Sequence, residues 1–76
     1  MSKVPCVGGK RAVSAFANNG FTAVRISGSH HIMKKPGHRF VLAVPVHGEE
    51  PLKKGLLRGL ITAAGKTVGQ FLDDLD

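Results

Sequence analysis

Apolar residues recur along this chain in two rhythms, one helical and one alternating, and their order predicts the order of its elements. From Lys10 to Asn18, Val13, Phe16 and Ala17 fall at the i, i+3, i+4 spacing of one helix face, and Asn19-Gly20 supplies a left-handed stop. Phe21 to Ser27 collects Phe, Thr, Val and Ile, which suit a pleated, half-buried surface, and it ends at the tight-turn pair Gly28-Ser29. His30 to Lys35 is a second short strand. In Pro36-Gly37 the proline presets φ and the glycine accepts φ > 0, a type II turn signal, after which Arg39 to Val44 forms a third strand closed by Pro45. Two short connections imply an antiparallel meander. Val46 to Pro51 is a loop, and beyond it Leu56, Leu57, Leu60, Ile61 and Ala64 make an apolar stripe with Lys54, Arg58 and Thr62 on another face. Gly65 ends that helix, and Gly59 inside it costs roughly 1 kcal/mol relative to alanine. Thr67 followed by Gln70 is a capping box for a last short helix carrying Val68, Phe71, Leu72 and Leu75.

The resulting order is α-β-β-β-α-α, an α+β fold in which helices pack on one face of a three-stranded antiparallel sheet and leave the other for partners. The expected core is Val13, Phe16, Leu56, Leu60, Ile61, Phe71 and Leu72. The 76 residues make a single domain, 1–76, in which 1–8 form an extended N-terminal segment. A chain this size buries only roughly 60% of its unfolded surface, so an active site must be a shallow groove or patch, a shape that suits large substrates. The longest apolar runs fall far short of the ~20 residues that span a bilayer, and the N-terminus lacks the apolar core of a signal peptide, so a cytoplasmic protein with no membrane partner is expected. The single cysteine, Cys6, rules out an internal disulfide and reads as a small residue packed at the fold edge.

Charge changes the picture. Eleven Lys/Arg face five Asp/Glu, a net charge of +6, and seven of the cations precede Gly48 without one carboxylate among them. Such asymmetry suggests a basic face for phosphates, although a small domain also stays soluble this way. Gly28-Ser29-His30-His31 lies within this basic stretch, and histidine is the side chain suited to proton transfer near neutral pH. On a strand the two imidazoles face opposite sides, His30 with Ile32 and His31 with Met33, and both sides look apolar. Alternation alone therefore leaves either histidine as the proton-transfer group, or neither. The histidine spacing lacks any zinc pattern, and no carboxylate precedes Glu49 to build a two-metal site, so no metal or other cofactor is expected.

Gly20-Phe21, Val24-Arg25, Gly28-Ser29-His30-His31, Val44-Pro45-Val46-His47-Gly48, Leu52-Lys53-Lys54-Gly55 and Ala64-Gly65 occur in one order and spacing from about Gly9 to Leu75. Together they resemble the HicA toxins of prokaryotic toxin–antitoxin pairs, with Leu56, Gly59, Thr62 and Ala63 departing from residues common at those positions. The resemblance implies a fold similar to a double-stranded-RNA-binding domain, an endoribonuclease (mRNA interferase) acting on mRNA, and neutralisation by a HicB-like antitoxin protein. The family's catalytic histidine falls on His30.

RNA carries its own nucleophile, the 2′-OH, so cleavage needs a base, an acid and cations for the phosphorane. On this basis His30 is the expected acid/base group of a metal-independent cleavage leaving a 2′,3′-cyclic phosphate and a 5′-hydroxyl. The expected RNA contacts are Ser29 at the turn, Lys34 and Lys35 on the second strand, Lys53 and Lys54 at the start of the second long helix, and His47. Lys53 and Lys54 stand where the helix dipole favours anions, or simply pair with Glu49 and Glu50 at the surface. His38 is expected to decorate the hairpin turn. Two other classes fit the same residues: a non-catalytic RNA-binding module, and a basic face made for an acidic protein partner.

Overall fold

A computed structural model describes Val4, residues 6–48 and residues 50–75. The elements run α1 (Gly9–Asn18), β1 (Thr22–Ser27), β2 (His30–Lys34), β3 (Leu42–Pro45), α2 (Lys54–Ala63) and α3 (Val68–Asp74). The sheet order is β1-β2-β3 with both pairs antiparallel, so the α+β meander is the fold of this chain. Of the expected N-terminal segment, residues 1–3 and 5 lie outside the described residues. Val4 and Val7 are buried, Gly8 bridges to Pro51, and Leu52 N–H donates to the Val7 carbonyl at 2.8 Å.

Local chemistry explains the boundaries. α1 and α2 close alike: Phe21 N–H reaches back to the Phe16 carbonyl and Gly20 N–H to Ala17, while Lys66 N–H reaches Ile61 and Gly65 N–H reaches Thr62. This is the Schellman pattern that glycine at C′ permits. α3 begins with the capping box, Thr67 Oγ1 accepting from Gln70 N–H and Gln70 Oε1 accepting from Thr67 N–H.

β3 begins later than the β-prone run suggests, at Leu42 rather than Arg39. The reason lies 25 residues downstream: His38 Nε2 donates to the Ala63 carbonyl at 2.7 Å, and its ring packs edge-on between Phe21 and Phe40. His38 thus holds the β2–β3 connection against the end of α2 and keeps Arg39, Phe40 and Val41 off the ladder. It is a structural tie rather than a turn decoration. Pro45 does not close β3 but belongs to it, opposite His30. Val46 N–H donates to the Ser29 carbonyl at 2.7 Å, so Pro45 stands at a non-hydrogen-bonded position where its missing N–H costs nothing.

One apolar cluster joins Val7, Ala12, Ala15 and Phe16 to Phe21, Met33, Leu42, Val44, Leu57, Leu60, Ile61, Ala64 and Phe71. Phe16 lies at its centre, edge-on to Phe21 and tilted against Phe71. The buried face of α1 is Ala12, Ala15 and Phe16, a quarter-turn from the expected one, with Val13 half-buried and Ala17 exposed. Leu56 and Leu72, expected in the core, are 43% and 37% exposed. In α2 the buried stripe 57, 60, 61, 64 is complete without Leu56, which flanks it. Cys6 is exposed rather than packed. α1 and α3 are joined by Asn18 Nδ2 donating to the Asp74 carbonyl at 3.0 Å and Asn19 Nδ2 donating to the Asp74 carboxylate.

Candidate functional site

The register of the sheet separates the two histidines. Residues directly opposite in an antiparallel pair share a face. His31 stands opposite Val44 and Met33 opposite Leu42, and Met33, Leu42 and Val44 are all buried beneath the helices. His31 is accordingly half-buried on the covered face. His30 stands opposite Pro45 on one side and Ser27 on the other, and it is exposed on the face that no helix among the described residues covers. The turn before it is Gly28-Ser29, with Gly28 at φ 60°, a conformation that lets two residues reverse the chain. Ser29 is half-buried, and its carbonyl anchors Val46, which ties the end of β3 to the start of β2.

Arg25 is the cation that this register brings to His30. It pairs with Ile32 while Ser27 pairs with His30, which puts Arg25 on the open face diagonal to the imidazole, about 7–8 Å away by sheet geometry. The sequence alone did not single it out, because a diagonal neighbour on another strand follows from the pairing register and not from spacing along either strand. Lys34 shares the open face with His30 but lies four residues along the strand, about 13 Å distant. Lys35 is engaged elsewhere, with its Nζ 5.8 Å from the centre of the Phe21 ring in a cation–π contact at the far end of the sheet.

Beyond Pro45, the cross-strand neighbour of His30, the loop after β3 and the start of α2 form a cleft of about 300 Å³. Pro45, Leu52 and Leu56 give it apolar walls; His47, Glu50 and Lys53 give it polar ones. The loop is shaped by a turn in which Glu50 N–H donates to the His47 carbonyl at 3.0 Å, with Gly48 at φ 56°. Lys53 is the N-cap of α2, and its side chain takes no part in capping. Lys54 faces a separate hollow of about 250 Å³ with Val4, Gly55 and Arg58. The geometry therefore gathers Ser29, His30, His47 and Lys53 around one end of the sheet, adds Arg25, Glu50 and Leu56, and leaves Lys34, Lys35 and Lys54 apart from them. Glu49 lies outside the described residues. Glu50 and Leu56 carried no sequence signal as a site, because only the fold of the loop onto α2 makes them neighbours.

Among the described residues no group of three or more His, Cys, Asp or Glu could hold a metal ion. No helix among them is long and apolar enough to cross a membrane. A family described as HicA toxin of bacterial toxin-antitoxin matches residues 9–66, which is more than half of the chain and includes every residue gathered at this end of the sheet. No curated protein matches the chain.

Proposed function

Since the chain belongs to the HicA toxin family, and so is a toxin of a toxin–antitoxin system, we propose that it is a metal-independent endoribonuclease that cleaves mRNA through His30 and is neutralised by a HicB-like antitoxin. The observation that carries this reading is the exposure of His30 on the uncovered sheet face, with Arg25 diagonal to it on β1 and, opposite it on β3, Pro45, which also lines the cleft that holds His47 and Lys53. RNA laid across that face meets a proton acceptor with a cation, Arg25, diagonal to it. His30 removes the 2′-OH proton, the 2′-oxygen attacks phosphorus, and the bond from phosphorus to the 5′-oxygen breaks. Arg25 and Lys53 offset the charge that builds on the phosphorane oxygens. His47, at the rim of the cleft, protonates the leaving 5′-oxygen. His31, half-buried against Val44, is a packing residue.

The test is cleavage of a defined mRNA by the purified chain in EDTA. The expected products carry 5′-hydroxyl ends, with activity at least ~100-fold lower in His30→Ala and retained in His31→Ala. Undiminished cleavage by His30→Ala overturns the assignment, as does activity that chelator abolishes and added metal restores. RNA binding without cleavage by the parent chain would make the protein a binding module instead. An antitoxin that covers the open face competes with RNA. Simultaneous binding of both, with cleavage still abolished, would replace occlusion by an allosteric mechanism.

A further inference from the structure

The cleft beside His30 has a chemistry that phosphate binding does not account for. Its volume, about 300 Å³, lies at the small end of ligand pockets and is enough to admit a nucleobase. Neighbouring hollows differ in character: one is lined by Val4, Lys54, Gly55 and Arg58, another by Gly8, Lys10, Arg11 and Gly48, so their only charged groups are cations. The cleft beside His30 instead sets a carboxylate, Glu50, between apolar walls and next to two donors, His47 and Lys53. A carboxylate repels a phosphodiester but accepts from the N–H groups of a base edge. Leu56 is 43% exposed, a large apolar side chain left at the surface where a flat ring could cover it.

We propose that this cleft is a base-recognition subsite for an unstacked guanine next to the scissile phosphate, an inference that rests on the ribonuclease reading above. Guanine alone presents two adjacent donors, N1–H and the N2 amino group, which a carboxylate accepts side by side. Adenine and cytosine present one amino donor beside a ring acceptor, and uracil presents one imino donor between two carbonyls, so each turns an acceptor toward Glu50. Lys53, with three N–H donors, gives one to guanine O6, and the ring packs between Leu56 and Pro45, as unstacked bases do between apolar side chains. Pro45 is the cross-strand neighbour of His30 at a non-hydrogen-bonded position, where Cα atoms lie about 4.5 Å apart. A base held against it leaves its own phosphate within reach of the imidazole. The site thereby acquires a sequence preference that the open sheet face, which meets only backbone and ribose, does not supply.

Four RNA hexamers, hexauridylate and its variants with one central G, A or C, test this by fluorescence anisotropy on the His30→Ala chain, which does not consume them. The G hexamer is expected to bind about tenfold tighter than the other three, the discrimination of one good bidentate contact. In Glu50→Gln that ratio falls below about threefold. The ratio is the decisive readout, because removing a negative charge for electrostatic reasons alone raises all four affinities together. Leu56→Ser, a change at an exposed position, weakens the G hexamer most. On mixed-sequence RNA the parent chain cuts beside G, and Glu50→Gln scatters the cut sites. Equal binding of all four hexamers, or a G preference that survives in Glu50→Gln, overturns the proposal. So does a result in which Leu56→Ser leaves the hexamers unaffected and weakens only the antitoxin, which would make the cleft a protein anchor. If the parent chain fails to cut RNA, the ribonuclease reading falls while the hexamer ratio still decides what the cleft binds.

Discussion

The same chemical change, glycine to alanine, is predicted to have opposite signs at two helix positions. Gly9 is the first residue of α1 and is buried. A Cβ built there would lie deep inside contact distance of the Pro45 carbonyl oxygen, 2.9 Å from Val46 Cα and 3.0 Å from Val46 Cγ2. Two of these atoms are backbone and cannot rotate away, so α1 must withdraw from the end of β3. Overpacking of this kind costs about 1–3 kcal/mol, and at the first helical position alanine returns little of it through propensity. Gly59 is exposed within α2, and a Cβ there would meet no atom within 4 Å. Gly59→Ala should therefore stabilise by about 0.5–1 kcal/mol. With about 4–8 °C of Tm per kcal/mol for a domain of this size, the two variants separate by on the order of 10 °C. The chain has no Trp or Tyr, so thermal and urea unfolding are followed by far-ultraviolet circular dichroism. Because Pro45 is paired with His30, Gly9→Ala should also lower RNA cleavage, whereas Gly59→Ala should not. A Gly9→Ala chain as stable as the parent would refute the tight approach of α1 to β3.

Thr67→Ala removes one half of the capping box of α3 and should cost about 0.5–2 kcal/mol in urea unfolding. An unchanged midpoint would mean that α3 is held by Phe71 and the Asp74 contacts alone. His38→Ala deletes the hydrogen bond to the Ala63 carbonyl and the ring contacts with Phe21 and Phe40, for an expected loss of about 1–3 kcal/mol. A loss under about 0.5 kcal/mol would show that the β2–β3 connection is not tied there. On the ribonuclease reading, Arg25→Ala should reduce cleavage by about tenfold or more and Lys34→Ala by much less, since only Arg25 is diagonal to His30. The reverse order in a single-turnover assay would mean that RNA runs along β2 rather than across it.

The elements of this fold were legible where the signal was local. Asn19-Gly20, Pro36-Gly37, Gly65 and the Thr67–Gln70 box each act within a few residues of themselves, and each stands where the pattern put it. The start of β3 was not legible, since Phe40 and Val41 are as β-prone as Leu42. What holds them off the ladder is the contact of His38 with Ala63. The choice between His30 and His31 was open for a similar reason. Ile32 and Met33 are equally apolar, and only the placement of the helices buries Met33 while Ile32 stays half-exposed. The neighbours of His30 were legible in part. Lys34 and Lys35 are near it in sequence but a strand's length away, whereas Arg25 reaches it through a hairpin register that no single-strand pattern contains.

The split between the two faces of the sheet also determines what a mutation at the site can mean. The apolar cluster draws on Met33, Leu42 and Val44 of the covered face, on the helices packed there and on Val7, Phe21 and Leu52 of the connections, and no polar or charged side chain among the described residues is buried. Arg25, His30, His47, Glu50, Lys53 and Leu56 are all exposed. Exposed substitutions away from caps and special backbone positions change stability by less than about 0.5 kcal/mol, against a loss of roughly 3–5 kcal/mol for truncating a core aromatic such as Phe71. A small domain with a thin margin of stability can therefore vary the residues that would touch RNA or an antitoxin without unfolding. Loss of cleavage in a folded His30→Ala chain then reports on proton transfer, and a changed base ratio in Glu50→Gln reports on recognition. Neither result need be mistaken for a weakened core, because His30 and Glu50 are exposed and belong to no part of the buried cluster.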